Sequence, residues 1–357
     1  MTKVSVILAV YNVAPYLHRS LDCLINQTLK DIEIICIDDC STDNSFEVLK
    51  EYAQKDGRIV VIKSEVNQGA AAARNKGLKI AKGEYLGFID PDDAIDLNYY
   101  EELYKTAKEN NVDVAKCARK NIYPDGREEI GMVNHWIREF NTPYVFSHEW
   151  TTAIYRAEFI QKNNITFPEE CKKAQDVVFL SRVMFKHASL KVIDNVFYYY
   201  HKRDNSLNAE KIPVKNIKSA LKATELMIYE VNNSGLDKTQ PELYIKIFIR
   251  KLCVIFYTLF QNDTLEAKTL CSEALINYFY QCHDLKNLEK EFPYPWMLKY
   301  IKNKNIKGLT KLLCSYKSED EIQKPLTWYQ KVFSVKNGFE GKYKIIHILG
   351  IKIKIKK

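Results

Sequence analysis

The stretch with the clearest chemistry is Asp90-Pro91-Asp92-Asp93, which directly follows the apolar run Tyr85-Leu86-Gly87-Phe88-Ile89. Carboxylates crowded at a strand end repel one another unless a cation neutralises them. Oxygen-only donors select a hard ion, Mg2+ or Mn2+, with pyrophosphate oxygens completing the octahedron. Such an ion stabilises the negative charge that grows on a departing nucleoside diphosphate. Taken alone, the stretch fits equally an Asp-Pro turn in which Asp92 or Asp93 caps the next helix.

Two upstream stretches add to it. Asp38-Asp39-Cys40-Ser41-Thr42-Asp43 closes a second apolar run. A carboxylate there can accept a hydrogen bond from a nucleobase N–H, and Ser41 or Thr42 can cap a helix over 44–52. Asn67-Gln68-Gly69-Ala70-Ala71-Ala72-Ala73-Arg74-Asn75 is rich in small side chains and then turns basic. Small residues let backbone approach a ligand closely, and a guanidinium suits phosphate oxygens. The plainer reading is an alanine-rich helix packed on a sheet, with Arg74 in solvent.

The elements that must position these groups are legible from hydrophobic pattern. Residues 4–10, 32–37, 59–62 and 85–89 read as strands buried on both faces. Residues 15–26, 45–52 and 69–81 read as helices, the first with Leu17, Leu21, Leu24 and Ile25 on one stripe. Strands alternating with helices predict crossover units and a mostly parallel sheet. Ligands of such sheets bind beyond the carboxyl ends of the strands, and Asn12, Asp38-Asp39 and Asp90 to Asp93 all fall there. Further helices are expected over 97–110 and 176–185, and a largely helical region over 212–320.

In this order the stretches Val4-Ser5-Val6-Ile7-Leu8-Ala9-Val10-Tyr11-Asn12, Ile37 to Asp43, Asn67 to Asn75 and Phe88 to Asp93 resemble the signature of family-2 glycosyltransferases with the GT-A fold. The resemblance covers roughly residues 3–210. It implies a Rossmann-like α/β nucleotide-binding sheet flanked by helices, and transfer of a sugar from a nucleotide-sugar, most often a UDP-sugar, to an acceptor hydroxyl. Tyr11 and the Asp38-Asp39 pair would hold the nucleobase, and Arg74 would lie near the nucleotide. Asp90 and Asp92 match the family's D-x-D, with Asp92 the direct ligand of Mn2+ or Mg2+. Asp93 would face the donor sugar or the metal shell.

Farther along, Lys173-Ala174-Gln175-Asp176-Val177-Val178-Phe179 resembles the family's Glu-Asp-x-x-Phe segment, with Gln175 in place of the usual glutamate. Asp176 would then be the base that deprotonates the acceptor in an inverting displacement; a helix-start aspartate favoured by the dipole is the other reading. Tyr198 to Ser206 resembles the segment that closes the donor site. There Arg203 or His201 would clamp the diphosphate, and His201 could reach the metal, unless the loop is simply solvated. Trp150 resembles an acceptor-side aromatic able to stack on a sugar, or else is an ordinary half-buried tryptophan.

Composition narrows the alternatives. Hydrophobic content of 46% and charged content of 27% fit a folded globular chain of 357 residues rather than a disordered one. The nine cysteines show no C-x-x-C pair and no zinc spacing, which predicts reduced thiols in a cytoplasmic protein. The apolar stretch 243–260 is interrupted by Lys246, Arg250 and Lys251, so a buried helix is expected there, not a membrane span. The net charge of +8 is concentrated in residues 331–357, which hold eight lysines and one acid, Glu340. A near-neutral remainder argues against a nucleic-acid binder. A basic tail suits an anionic membrane surface on the cytoplasmic side. The absence of glycine from Ala9 to Pro15 disfavours a sugar-1-phosphate nucleotidyltransferase or a nicotinamide-dependent oxidoreductase. A glycan-binding scaffold on the same fold stays open through Gln175.

The expected organisation is a catalytic domain over 1–210, with a nucleotide-sugar half over 1–93 and an acceptor half over 94–210. A helical accessory region follows over 211–330, bracing the core or forming a homodimer, and then the tail over 331–357. The style of the chain suggests surface-polysaccharide or lipooligosaccharide synthesis, with a glycan or glycolipid acceptor.

Overall fold

The computed structural model describes residues 1–130, 149–202, 214–260, 264–292, 295–315, 334–337, 343–348 and 351–356. Its first part alternates as the pattern requires: β1 (Val4–Val10), α1 (Ala14–Ile25), β2 (Ile32–Asp38), α2 (Ser45–Lys55), β3 (Ile59–Lys63), α3 (Ala70–Ile80) and β4 (Tyr85–Phe88). There follow β5 (Ala94–Ile95), α4 (Tyr99–Glu109), β6 (Val114–Ile122), β7 (Glu128–Ile130), β8 (Ala153–Arg156), α5 (Ala157–Lys162), α6 (Gln175–Phe185) and β9 (Leu190–His201).

The sheet runs β3-β2-β1-β4-β8-β6-β9-β5, with β7 paired to β6. β1 pairs in parallel with β2 and β4, and β2 with β3. The expected parallel arrangement therefore holds for the first half. Beyond β4 the sheet is mixed: β8 is antiparallel to β4 and β6, whereas β9 runs parallel to β6. The reason lies in the connections. An antiparallel neighbour needs no helical crossover, and the regular alternation of strand and helix stops at Asp90.

The sequence fills both sides of β1. Val4, Val6, Leu8 and Val10 pack with Leu17, Leu21 and Leu24 of α1 and Leu49 of α2. Ile7 belongs to the opposite layer, with Ile35, Ile37, Ala73, Phe88, Trp150, Phe167 and Phe179. Period-two alternation sends successive side chains to opposite faces, and both faces are covered. Strand order reverses between β1 and β4, which opens a crevice at their carboxyl ends. α3 packs on β1 and β2, and Gly77 permits the approach: a Cβ there would stand 2.5 Å from Ile7 Cγ2.

The chain divides into two compact units, Met1–Lys211 and Ile212–Lys357. In the second, helices run from Val214–Asn232 to Ile306–Ser315, including Pro241–Phe260 over the stretch weighed as a membrane span. Tyr244, Phe248 and Leu252 of that helix are wholly buried. Among the described residues no helix is long and apolar enough to cross a membrane. Within the basic tail, Ser334–Asn337, Tyr343–Ile348 and Ile351–Lys356 form an antiparallel sheet.

Gly77→Val adds a branched side chain where α3 meets β1. Overpacking of this kind costs about 1–3 kcal/mol, so the urea midpoint should fall with an unchanged slope; an unaltered midpoint would mean α3 has room to spare.

Candidate functional site

The acidic residues sit at the crevice because their strands end there. At the end of β1, Tyr11 is 46% exposed, an open ring beside the sheet edge. Asn12 adopts a left-handed φ of 51°, a conformation asparagine tolerates better than most residues. Its side-chain Oδ1 accepts from the Thr42 and Asp43 amides at 2.8 and 3.3 Å, so the end of β1 shapes the loop after β2.

Asp38 is wholly buried. Its Oδ2 accepts from the Ser41 amide at 3.2 Å, and its Oδ1 is buried without a partner. Asp39, 2% exposed, accepts from the Gln68 amide at 3.1 Å and from the Gly69 amide at 2.6 Å. Gly69 precedes α3 with φ at +93°, a region open to glycine. Asp39 thus anchors the N-terminal end of α3, where the positive end of the dipole favours a carboxylate. The pair of aspartates builds the loop wall from within, both side chains being buried.

Arg74, one turn into α3, is far from solvated. Its side chain is 11% exposed and pairs with Asp90 at 3.0 Å. The guanidinium carbon lies 4.4 Å from the ring centroid of Trp150 and 5.5 Å from that of Phe167. Trp150 is correspondingly only 5% exposed, packed on Phe88 and Phe167. This corrects the expectation of a sugar-stacking ring: its faces are taken by the aromatic core and the arginine. Trp150 holds Arg74 in place.

The turn after β4 is closed by a bond from the Asp93 amide to Asp90 O at 3.1 Å. Asp93 faces inward, at 1% exposure, and not toward a donor sugar. It accepts from the Tyr198 hydroxyl at 2.7 Å and from the His201 amide at 3.0 Å. The Tyr198 hydroxyl in turn accepts from the Asp90 amide at 3.1 Å. Burial, and then the charges of Asp90 and Asp92, push the Asp93 carboxyl well above the usual carboxylate range. Arg19 of α1 donates to the Asp92 carbonyl at 3.0 Å.

His201 stands at the same corner. Burial, and then the Arg19 charge, lower its pKa and keep the imidazole neutral, with Nδ1 buried and unpartnered. A neutral imidazole and the carboxylates of Asp90 and Asp92 are suitable donors for a divalent ion. Among the described residues, however, no three His, Cys, Asp or Glu side chains cluster closely enough to hold an ion by themselves. Phosphate oxygens would have to complete the shell. Arg203 lies outside the described residues.

Asp176 opens α6 after Ala174, which has a left-handed φ of 58°. Burial raises its pKa, Arg74 lowers it in opposition, and Asp90 adds a smaller upward push. Asp90 and Asp176 therefore lie within the field of one arginine, and Asp39 anchors the helix that carries it. Gln175 Oε1 is buried without a partner. Arg19 was not legible in the sequence, since an arginine on a solvated helix carries no local mark of this corner; Tyr198 was marked only through the segment it opens, not for its bonds to Asp90 and Asp93.

Comparison with known proteins bears on the family and the fold. The model described as glycosyl transferase family 2 matches residues 5–173. The chain is 31% identical over 336 residues to the poly(ribitol-phosphate) beta-glucosyltransferase of Bacillus spizizenii, spanning 90% of this chain but about half, 51%, of that relative. It is 31% identical to the cholesterol galactosyltransferase of Borreliella burgdorferi, over 70% of this chain and 73% of the relative. The structure of S. aureus TarS 1–349 in complex with UDP-GlcNAc superimposes with a TM-score of 0.71 over 99% of both chains, at 23% identity, a likeness of fold. By its match to the family model and to a relative 31% identical over 73% of that relative's length, the chain belongs to glycosyltransferase family 2 and has the GT-A fold.

Proposed function

We propose that this chain transfers a sugar, with inversion, from a UDP-sugar to a hydroxyl of a cell-surface polymer or glycolipid. The observation that carries the proposal is the single guanidinium of Arg74, which pairs with Asp90 and acts on Asp176, so that the donor acids and the acceptor base share one crevice. The names of the relatives, a poly(ribitol-phosphate) glucosyltransferase and a UDP-GlcNAc-bound structure, support a surface-polymer acceptor and a uridine nucleotide.

In this reading the exposed ring of Tyr11 and the Asp38-Asp39 loop receive the nucleobase, and Arg74 and Asp90 lie along the nucleotide. Asp92, with Asp90, would hold Mn2+ or Mg2+ together with phosphate oxygens, His201 being a further candidate donor; the ion when bound supplies positive charge to the leaving diphosphate. Asp176 accepts the acceptor proton as the hydroxyl oxygen attacks the anomeric carbon from the side opposite the diphosphate. Its burial excludes water and raises its basicity, and Arg74 opposes part of that rise. Asp93 and Tyr198 fix the turn from behind. Arg203 would close the diphosphate side. The catalytic domain is assigned to 1–210 and the accessory region to 211–330. The tail over 331–357 would meet anionic lipid at the cytoplasmic face. One observation favours a second reading, a scaffold that binds glycan without transfer: glutamine at position 175 where the family has glutamate.

Incubation with UDP-sugars and Mn2+ separates these readings. Slow metal-dependent UDP release is expected, and Asp92→Ala should reduce it about 100-fold or more, the scale on which loss of one preorganised electrostatic group acts. Asp176→Asn should lower transfer about 1000-fold while UDP affinity is nearly unchanged. Glycan binding with no UDP release from the wild type would leave only the scaffold.

The pH profile gives an independent check. A base is active when deprotonated, so transfer should fall as pH drops through the raised Asp176 pKa. Arg74 lowers that pKa, so Arg74→Ala should move the acid limb to higher pH. A limb that stays in place would detach Asp176 from Arg74.

Truncation after Val335 removes most of the tail lysines, each contributing roughly 1 kcal/mol near anionic lipid. Co-sedimentation with phosphatidylglycerol vesicles should fall, most of all at low salt. Unchanged recovery would remove the membrane assignment.

A further inference from the structure

We propose that Asn75 is a positioning residue that sets the acceptor-side aspartate relative to the donor site; this rests on the reading of Asp176 as the base. Asn75 follows Arg74 on α3 and is 6% exposed. Its carboxamide makes three bonds to one segment. Nδ2 donates to Phe167 O and to Glu169 Oε1, each at 2.9 Å, and Oδ1 accepts from the Phe167 amide at 2.9 Å. Both backbone polar groups of Phe167 are thereby held by one side chain, as a neighbouring strand would hold them.

Phe167 passes this constraint on. Its ring stacks on that of Phe179, with centroids 4.2 Å apart and planes within 4°. Phe179 lies three residues after Asp176 on α6, and so on the same helix face. α6 has no side-chain hydrogen bond at its N-cap, Ala174. Its start must therefore be located from outside, and the Phe167 stack does so. Consecutive residues of α3 thus act in two directions: Arg74 reaches Asp90, and Asn75 reaches, through Phe167, the helix of Asp176. A displacement of about 1 Å between reacting groups can cost 100-fold in rate, which is why such a tie matters.

Asn75→Asp preserves shape but turns the donor toward Phe167 O and Glu169 into an acceptor. The expected result is a kcat lower by about 100-fold, with donor KM and UDP affinity within about 2-fold because nucleotide contacts are untouched. Adding Glu169→Gln, which gives the new carboxylate a donor in place of a like charge, should recover kcat about 5-fold or more, a coupling that unconnected sites do not show. Amides of Val178 and Phe179 should exchange hydrogen faster in Asn75→Asp, with those of β1 unchanged. Asn75→Ser, which introduces no charge, carries the same readouts if Asn75→Asp does not fold. Donor KM rising in step with the loss of kcat, or α6 exchange as in the wild type, would overturn the proposal. If the wild type transfers no sugar, the transferase reading falls instead, and the exchange measurement alone decides the role of Asn75.

Discussion

The Arg74–Asp90 ion pair is the constraint on which the site depends. A guanidinium this covered must have its charge matched and its faces filled, since removing one member of a buried pair leaves the other uncompensated. Asp90 matches the charge, and Trp150 and Phe167 fill the faces. Each requirement fixes another element: the turn after β4, the start of β8, and the segment leading to α6. The arginine can occupy this place because Asp39 anchors the N-terminal end of α3 and Gly77 lets the helix lie against Ile7. Local structure, packing and electrostatics therefore meet at one side chain.

The acidic turn is held by the opposite strategy. Its two edges are tied to the far side of the sheet by Tyr198 and the His201 amide, both on β9. With Asp93 turned inward, the mutual repulsion of three neighbouring carboxylates is divided between the interior and the crevice. Asp93 bears the cost of burial and is pushed toward its neutral form, which leaves the crevice side to Asp90 and Asp92. The mixed half of the sheet has a function here: β9, running parallel to β6 and antiparallel to β5, brings its last residues beneath the turn.

Much of this was legible in the residues. The strands over 4–10 and 32–38 and the helices after them follow from apolar runs and stripes that are set locally, and so did the convergence of Asp38, Asp39 and Asp90 at one edge. The mixed half was not, because β6 carries a register irregularity between Lys116 and Ala118 and β9 alternates between buried and open positions without a clean period. The inward turn of Asp93 depends on a partner 105 residues away, and the burial of Trp150 on an arginine that local pattern places in solvent. Sequence periodicity reports which face of an element is apolar; it carries no signal for which polar group will be waiting there.

Position 175 illustrates how such a site tolerates a departure from its family. Asp176 is already under upward pressure from burial, with Asp90 adding to it and Arg74 opposing it. A second carboxylate beside it would add a like charge and raise its pKa further. It would also place a charge where the side-chain oxygen of Gln175 is buried without a donor, a costly arrangement for an ion and a milder one for an amide. The carboxamide therefore relieves Asp176 of a repulsion and spares the core a charge. Glutamine at position 175 therefore leaves Asp176 buried beside Arg74 with no second negative charge at the start of α6.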